Sequence, residues 1–310
     1  MRYIVVLSFL CLCTGMQCTK QDTLGQAAIE ALREQDMPKA FELSLKAIND
    51  GSTDQLVCYI AAMGKFYEGD LIACMNFANK IHESDSMYSR ARVLYTSAWV
   101  QENTSKMIPK GLIDSLERQI KLATDDQDLS VLHEARQLVY QRLWQFAYEK
   151  GDSLAPRYGM EMMGSATSGV LHDSVSLPSW KILVERRLLV GVASLANLLY
   201  RTAANIAEDD RLMLEQKLGL VYLAMQQAAE NQDVELLRKF AAMYVQLDPK
   251  GAESGFSSIT LVAGDVAPKK YQQLLREAAI NDSVLQETLF LSTYPRILMP
   301  RLDAPQKTNS

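Results

Sequence analysis

The first part of the chain overlaps with itself after a shift of 34 residues, and no other feature limits the fold as strongly. Within residues 24–85 the dipeptide Gln35-Asp36 aligns with Gly69-Asp70. Mostly small residues align on both sides of this turn, in the pairs Ala28/Ala62, Ala40/Cys74, Ser44/Ala78 and Ala47/Ile81. Two packed helices lie about 8–10 Å apart and need small side chains where they approach most closely. The period therefore predicts consecutive helical hairpins that pack side by side.

A 34-residue helix-turn-helix unit with small residues at these positions resembles the tetratricopeptide repeat (TPR). The resemblance implies an all-α fold, a TPR-like αα-hairpin solenoid over residues 21–163. A degenerate repeat is expected at 211–249, where Leu218-Gly219 and Tyr222 resemble the Leu-Gly-x-x-Tyr of a first TPR helix. Residues 177–292 are expected to form a C-terminal helical region, either as an extension of the solenoid or as a second helical subdomain.

Two segments without helical periodicity separate or end these regions. Residues 164–176 combine small and hydroxylated residues with Gly164 and Gly169, which is typical of a linker. Residues 293–310 contain prolines at intervals of five residues, beginning with Pro295, which predicts an extended and mobile tail.

Between Leu188 and Tyr200 the chain carries no charged residue. At 13 residues this stretch is too short to cross a bilayer, because a spanning helix needs about 20 residues. We therefore interpret it as a buried helix at the centre of a second helical layer.

Residues 1–18 have the layout of a bacterial signal peptide, with Arg2 before an apolar core at 3–13. Cleavage after Gly15 would give a soluble exported protein. Alternatively, Cys18 follows a lipobox-like sequence and is a candidate lipidation site that would attach the protein to a membrane. The expected location is therefore the periplasm or a membrane surface of a Gram-negative-type cell envelope, with no transmembrane helix after processing.

Composition and motifs argue against several classes of function. The net charge of −5 comes from mixed acidic and basic residues, whereas nucleic-acid binding needs a concentrated basic surface. His82, His133 and His172 are the three histidines, and no HExxH, Cys-x-x-Cys or phosphate-binding glycine motif occurs. We therefore expect a protein without enzymatic activity, cofactor or metal.

Cys58 and Cys74 are the two cysteines that follow the predicted signal segment. In the predicted hairpin their Cα atoms lie about 12 Å apart, beyond the limit of about 7 Å for a disulfide bond. Two buried free thiols are expected.

The resemblance also implies a concave surface that binds an extended peptide or a partner's helix. The candidate groove consists of Ile29, Leu32, Arg33, Leu56, Tyr59, Met63, Phe66, Tyr67, Arg92, Tyr95 and Trp99. Aromatic residues, Met and Arg are enriched in protein interfaces. The alternative is that these residues pack against neighbouring helices.

The expected function is that of a non-enzymatic binding or assembly module with a protein or peptide partner in the cell envelope. Two other classes remain open at this point. One is a sensory or regulatory ectodomain of a signalling system, and the other is an envelope hydrolase on a helical scaffold.

Overall fold

The computed structural model describes residues 23–209, 212–249, 255–256, 259, 268–300 and 302. These residues form an all-α fold, and no strand occurs among them. Contacts divide the chain into two units: unit 1 runs to Ser115 and includes the residues from Ile297 on, and unit 2 is Leu116–Arg296. The predicted signal peptide, including Cys18, lies outside the described residues.

Unit 1 consists of helical hairpins connected by short turns. Its helices are α1 (23–33), α2 (Met37–Asn49), α3 (Gln55–Tyr67), α4 (Leu71–Ala78) and α5 (Tyr88–Glu102), and α6 (Lys110–Leu122) begins in it. From α2 to α5 each helix packs against the next, and α3 also contacts α5.

The residues that share the 34-residue period lie in the core of these hairpins, as predicted. All eight residues of the four aligned pairs are buried, with exposures of 0–3%. A further close approach occurs at Gly64 of α3, where an added Cβ would lie 2.8 Å from Cγ of Phe41 in α2. Small side chains therefore set how closely the helices of unit 1 approach.

The turn inside each hairpin has the same backbone geometry in both repeats. Gln35 and Gly69 have left-handed φ values of 60° and 80°. The aspartate that follows each of them caps the next helix: Asp36 accepts a hydrogen bond from the Lys39 amide at 3.2 Å, and Asp70 accepts one from the Ala73 amide at 3.1 Å. Residues 151–152 and 232–233 of unit 2 repeat this combination of a left-handed residue and an aspartate.

Cys58 and Cys74 are both buried and free, which confirms the prediction made for them. Burial is the main reason that the pKa of the Cys74 thiol rises to about 12. Both thiols are therefore protonated and unreactive at neutral pH.

Unit 2 is arranged around one central helix. Its helices are α7 (Asp126–Glu149), α8 (Ala155–His172), α9 (Leu177–Glu185), α10 (Ala193–Asn205), a 3-10 turn (Ile206–Glu208), α11 (Leu214–Glu230), α12 (Val234–Leu247), α13 (Pro268–Asn281) and α14 (Ser283–Leu291). Helix α11 contacts α9, α10, α12, α13 and α14. A Cβ on Gly219 of α11 would lie 2.8 Å from a methyl group of Leu177 in α9. The absence of a side chain at Gly219 therefore allows α11 to pack closely against α9.

The prediction of a central buried helix over Leu188–Tyr200 was wrong in its start and in its position. Gly191 has a left-handed φ of 88°, which no α-helix accommodates, and α10 begins only at Ala193. Of the first six residues of α10, only Ala196 is buried. The centre of unit 2 is α11 instead.

The prediction of a linker at 164–176 was also wrong, because α8 continues to His172. The small residues of this stretch lie where α8 meets its neighbours. The Ser130 hydroxyl of α7 donates to the Gly169 carbonyl at 3.0 Å, and a Cβ on Gly169 would lie 2.4 Å from Oγ of Ser179. The composition that resembled a linker thus reflects close helix packing.

Candidate peptide-binding site

The described residues after α14 lack regular structure, and those from 297 on pack within unit 1. We define the C-terminal segment as residues 297–300 and 302, all of which belong to unit 1. Ile297 packs against the apolar cluster of α3, α4 and α5, and Leu302 packs against the cluster of α1, α2 and α3. The segment therefore lies along the helices that the 34-residue period predicted. The predicted tail is extended here, but it is packed against helices instead of being free.

Two buried polar side chains of unit 1 hold this segment by its main chain. The Tyr59 hydroxyl in α3 donates to the Leu298 carbonyl at 2.7 Å, and the Arg90 guanidinium in α5 donates to the Met299 carbonyl. Tyr59 and Arg90 are 0% and 3% exposed. Hydrogen bonds from a charged donor are stronger than neutral ones, so Arg90 is the stronger of the two contacts.

The side chains of the segment differ in how deeply they are buried. Pro300 is buried, Ile297, Leu298 and Leu302 are half-buried, and Met299 is 45% exposed. A buried proline leaves no main-chain N–H without a partner, which makes it a suitable residue for this position. The contacts of the segment therefore combine main-chain carbonyls with a few apolar side chains.

Seven of the eleven candidate groove residues lie in or against the apolar clusters of unit 1. These are Ile29, Leu32, Leu56, Tyr59, Met63, Phe66 and Tyr95. Of these seven, Tyr59 is the one whose hydrogen bond to the segment is described above. For the others, the structure gives the packing role that was the alternative interpretation.

The other four candidate residues occupy different environments. Arg92 donates to the Ala78 carbonyl at 3.1 Å and to the Asn79 side chain at 2.9 Å, so it binds the C-terminal end of α4. Tyr67 is 60% exposed, Trp99 is half-buried, and Arg33 is exposed.

Arg90 and the segment itself were absent from the predicted site. Leu56 was among the predicted residues, and a shift of 34 residues from Leu56 leads to Arg90. Strict use of the period would thus have found this arginine, whereas the prediction placed Arg92 on the groove. The segment carries no comparable signal, because a main-chain carbonyl is present in every residue.

Unit 2 holds Arg296 in a buried polar cluster. Its main-chain amide and its Nε donate to the two oxygens of Glu134 at 2.8 and 2.7 Å. Its remaining nitrogens donate to Asp173 at 2.7 Å and to the Ser130 hydroxyl at 2.8 Å. Burial lowers the pKa of Arg296, but the carboxylates of Glu134 and Asp173 outweigh burial and raise the pKa above its usual value. Each nitrogen of the Arg296 guanidinium has an acceptor in this cluster, which indicates a structural role.

Two histidines that are distant in sequence meet between α7 and α8. The rings of His133 and His172 are stacked with centres 5.7 Å apart, and Nδ1 of His172 lies 3.0 Å from Asp126. Burial, followed by His172 and Arg136, lowers the pKa of His133 to about 4. His133 is therefore neutral at pH 7. Among the described residues no group of three His, Cys, Asp or Glu side chains could hold a metal ion.

A polar cleft lies between α9, α11 and α13 in unit 2. Its charged lining residues are Glu185, Arg187, Glu230 and Arg276. Arg187 and Glu230 form an ion pair at 3.2 Å. With two acidic and two basic side chains, these four residues have no net charge, so they give a charged ligand no electrostatic preference.

None of the helices within the described ranges is both long and apolar enough to span a membrane. In comparisons with known proteins, the chain matches no protein-family model and no curated protein. Inference about its function therefore starts from its own residues and contacts.

Proposed function

We propose that this chain is a non-enzymatic, TPR-like protein-binding module of the bacterial cell envelope. In this proposal, unit 1 binds an extended peptide of a partner protein on α3 and α5. The observation that carries the proposal is the C-terminal segment, which unit 1 binds through Tyr59, Arg90 and two apolar clusters. Extended peptides are commonly recognised in this way, with main-chain hydrogen bonds for affinity and apolar positions for specificity.

The residue types at this site support the proposal. Arg and Tyr in a desolvated, well-packed surface are typical of the few residues that supply most of the binding energy in protein interfaces. Tyr59 and Arg90 are both buried, and Tyr59 belongs to the apolar cluster of α3, α4 and α5. The Met299 carbonyl accepts a hydrogen bond from the buried Arg90, so a peptide with a carbonyl at the same position would keep that bond.

Photo-crosslinking in the full chain tests this proposal. A photoreactive phenylalanine analogue replaces Phe66 or Tyr95, which are half-buried against the cluster of α3, α4 and α5. The matched control replaces Tyr148, which is 68% exposed in unit 2. We expect discrete crosslinked partners at both unit 1 positions and none at the control. The proposal fails if all three positions give the same crosslinks or if none gives any.

The proposed location rests on the sequence of residues 1–18 and is tested independently. Metabolic labelling with palmitate should mark the protein if Cys18 is lipidated, and Cys18→Ala should then abolish the label while Cys11→Ala retains it. If the wild-type chain takes up no label and is found in the periplasmic fraction, the soluble alternative is correct. Retention of the protein in the cytoplasm would contradict export in either form.

A further inference from the structure

We infer that the C-terminal segment is an intramolecular ligand that occupies the binding site of unit 1 until an extended apolar peptide of a partner displaces it. This inference rests on the proposed function and adds its regulation and the class of its guest. The bound segment supplies the observations, since it shows which atoms of a peptide the site contacts.

The hydrogen bonds can be transferred from the segment to another peptide. Tyr59 and Arg90 donate to the carbonyls of two consecutive residues, Leu298 and Met299. Every residue of a peptide offers a carbonyl, so these two contacts require a matching main-chain conformation and no particular side chain. A guest can therefore take over both hydrogen bonds.

The apolar contacts define which peptides fit. Ile297 and Leu302 pack on two different clusters of unit 1, and the buried Pro300 lies between them in the chain. The guest should therefore carry a large apolar residue, a proline three positions later and a second large apolar residue two positions after the proline. The residue at the position of Met299, which is 45% exposed, can vary.

The segment is packed less tightly than the core beneath it. Ile297, Leu298 and Leu302 are only half-buried, whereas Tyr59 and Met63 of the cluster on which Ile297 packs are 0% exposed. Displacement of the segment thus gives up only partial burial of these three side chains. Because the segment is tethered, its effective concentration at the site is on the order of 1 mM. A guest peptide must outcompete the segment at that concentration. The tether therefore sets a threshold that excludes weak or dilute peptides.

A peptide-binding titration tests the inference in the full chain. The probe is a fluorescent peptide with the sequence of residues 295–302. The variant carries Ile297→Asp and Leu302→Asp. These substitutions weaken the packing of the segment on unit 1 and leave the helices of the site unchanged. We expect the variant to bind the probe at least about 10-fold more tightly than the wild type, because the fraction of open sites rises. The matched control carries Val190→Asp and Ile280→Asp, at exposed apolar side chains of unit 2, and should bind the probe as the wild type does.

Adding Tyr59→Phe to the double-aspartate variant should weaken binding of the probe again, which links the gain to this site. Equal affinity of the double-aspartate variant and the wild type would overturn the inference. The proposed function would be unaffected by that result, since the crosslinks at Phe66 and Tyr95 do not depend on it.

A second measurement avoids destabilising substitutions. A spin label at Met299→Cys reports the mobility of the segment while the contacts of Tyr59 and Arg90 remain. Saturating unlabelled peptide should increase that mobility, because the labelled segment leaves the site. An unchanged spectrum at saturation would also overturn the inference.

Discussion

The two units hold neighbouring residues of the chain by different chemistry. Unit 2 binds Arg296 through the carboxylates of Glu134 and Asp173, so it depends on the side chain at that position. Unit 1 binds the next residues through the carbonyls of Leu298 and Met299, so it depends chiefly on the main chain. The first contact therefore requires an arginine side chain, whereas the second requires only main-chain carbonyls.

The largest expected effect tests the specific contact of unit 2. Glu134→Ala leaves the buried Arg296 without its main partner and should lower the free energy of unfolding by about 3–5 kcal/mol. Urea denaturation measures this change. Glu30→Ala is the control: it removes an exposed ion pair with Arg33 in unit 1 and should cost less than about 0.5 kcal/mol. Similar losses in the two variants would remove the distinction drawn between the units.

The next effect concerns pH and compares His133 of unit 2, which is half-buried, with His82 of unit 1, which is exposed. The pKa of His133 is about 4 in the folded protein, below its ordinary value of 6.5. Between these values the unfolded chain binds more protons, so the free energy of unfolding should fall as the pH decreases from about 6.5 to 4. One proton accounts for a slope of at most about 1.4 kcal/mol per pH unit.

Urea denaturation at a series of pH values tests this prediction. His133→Gln should flatten the profile in that range, whereas His82→Gln should leave it unchanged, because His82 is exposed. A profile that His133→Gln does not alter would place the acid sensitivity elsewhere in the chain.

A smaller effect tests the transferable contact of unit 1. Tyr59→Phe removes the donor to the Leu298 carbonyl and keeps the ring, so the expected loss is about 0.5–1.5 kcal/mol in the free energy of unfolding. Tyr67→Phe should have no measurable effect, since Tyr67 is 60% exposed. If the two variants are equally stable in urea, the hydrogen bond to the segment contributes nothing.

The smallest effect tests a feature that the two units share. Gln35 in unit 1 and Gln232 in unit 2 both have φ of 60°, a conformation that favours glycine. Gln35→Gly and Gln232→Gly should each raise the free energy of unfolding by about 0.5–1 kcal/mol, because glycine avoids the steric cost. Gly69→Ala at the equivalent turn should have the opposite sign. Thermal melts of the three variants decide whether the turns are equivalent.

The sequence predicted those parts of the fold that depend on local chemistry. The small residues Ala28 and Ala62 and the turns at Gln35 and Gly69 act between neighbouring helices, so their spacing was informative. The stretch 164–176 was misinterpreted because residues that allow helices to pack closely have the composition of a linker.

Of the candidate site, the helix residues could be predicted from the sequence, whereas the bound segment could not. Tyr59 was found from the repeat, and Arg90 follows from the same period when it is applied strictly. The bound segment was not found, because Tyr59 and Leu298 are separated by 239 positions and the contact uses a carbonyl. A main-chain acceptor leaves no trace in the amino-acid sequence.

The separation between the site and its internal ligand has a consequence for synthesis. Ribosomes produce Tyr59 and Arg90 more than 200 residues before Leu298 and Met299. Under the proposed regulation, the N-terminal hairpins of an exported chain would reach the cell envelope before their tethered competitor. A guest that meets them at that stage would bind without displacement, whereas a later guest would have to compete.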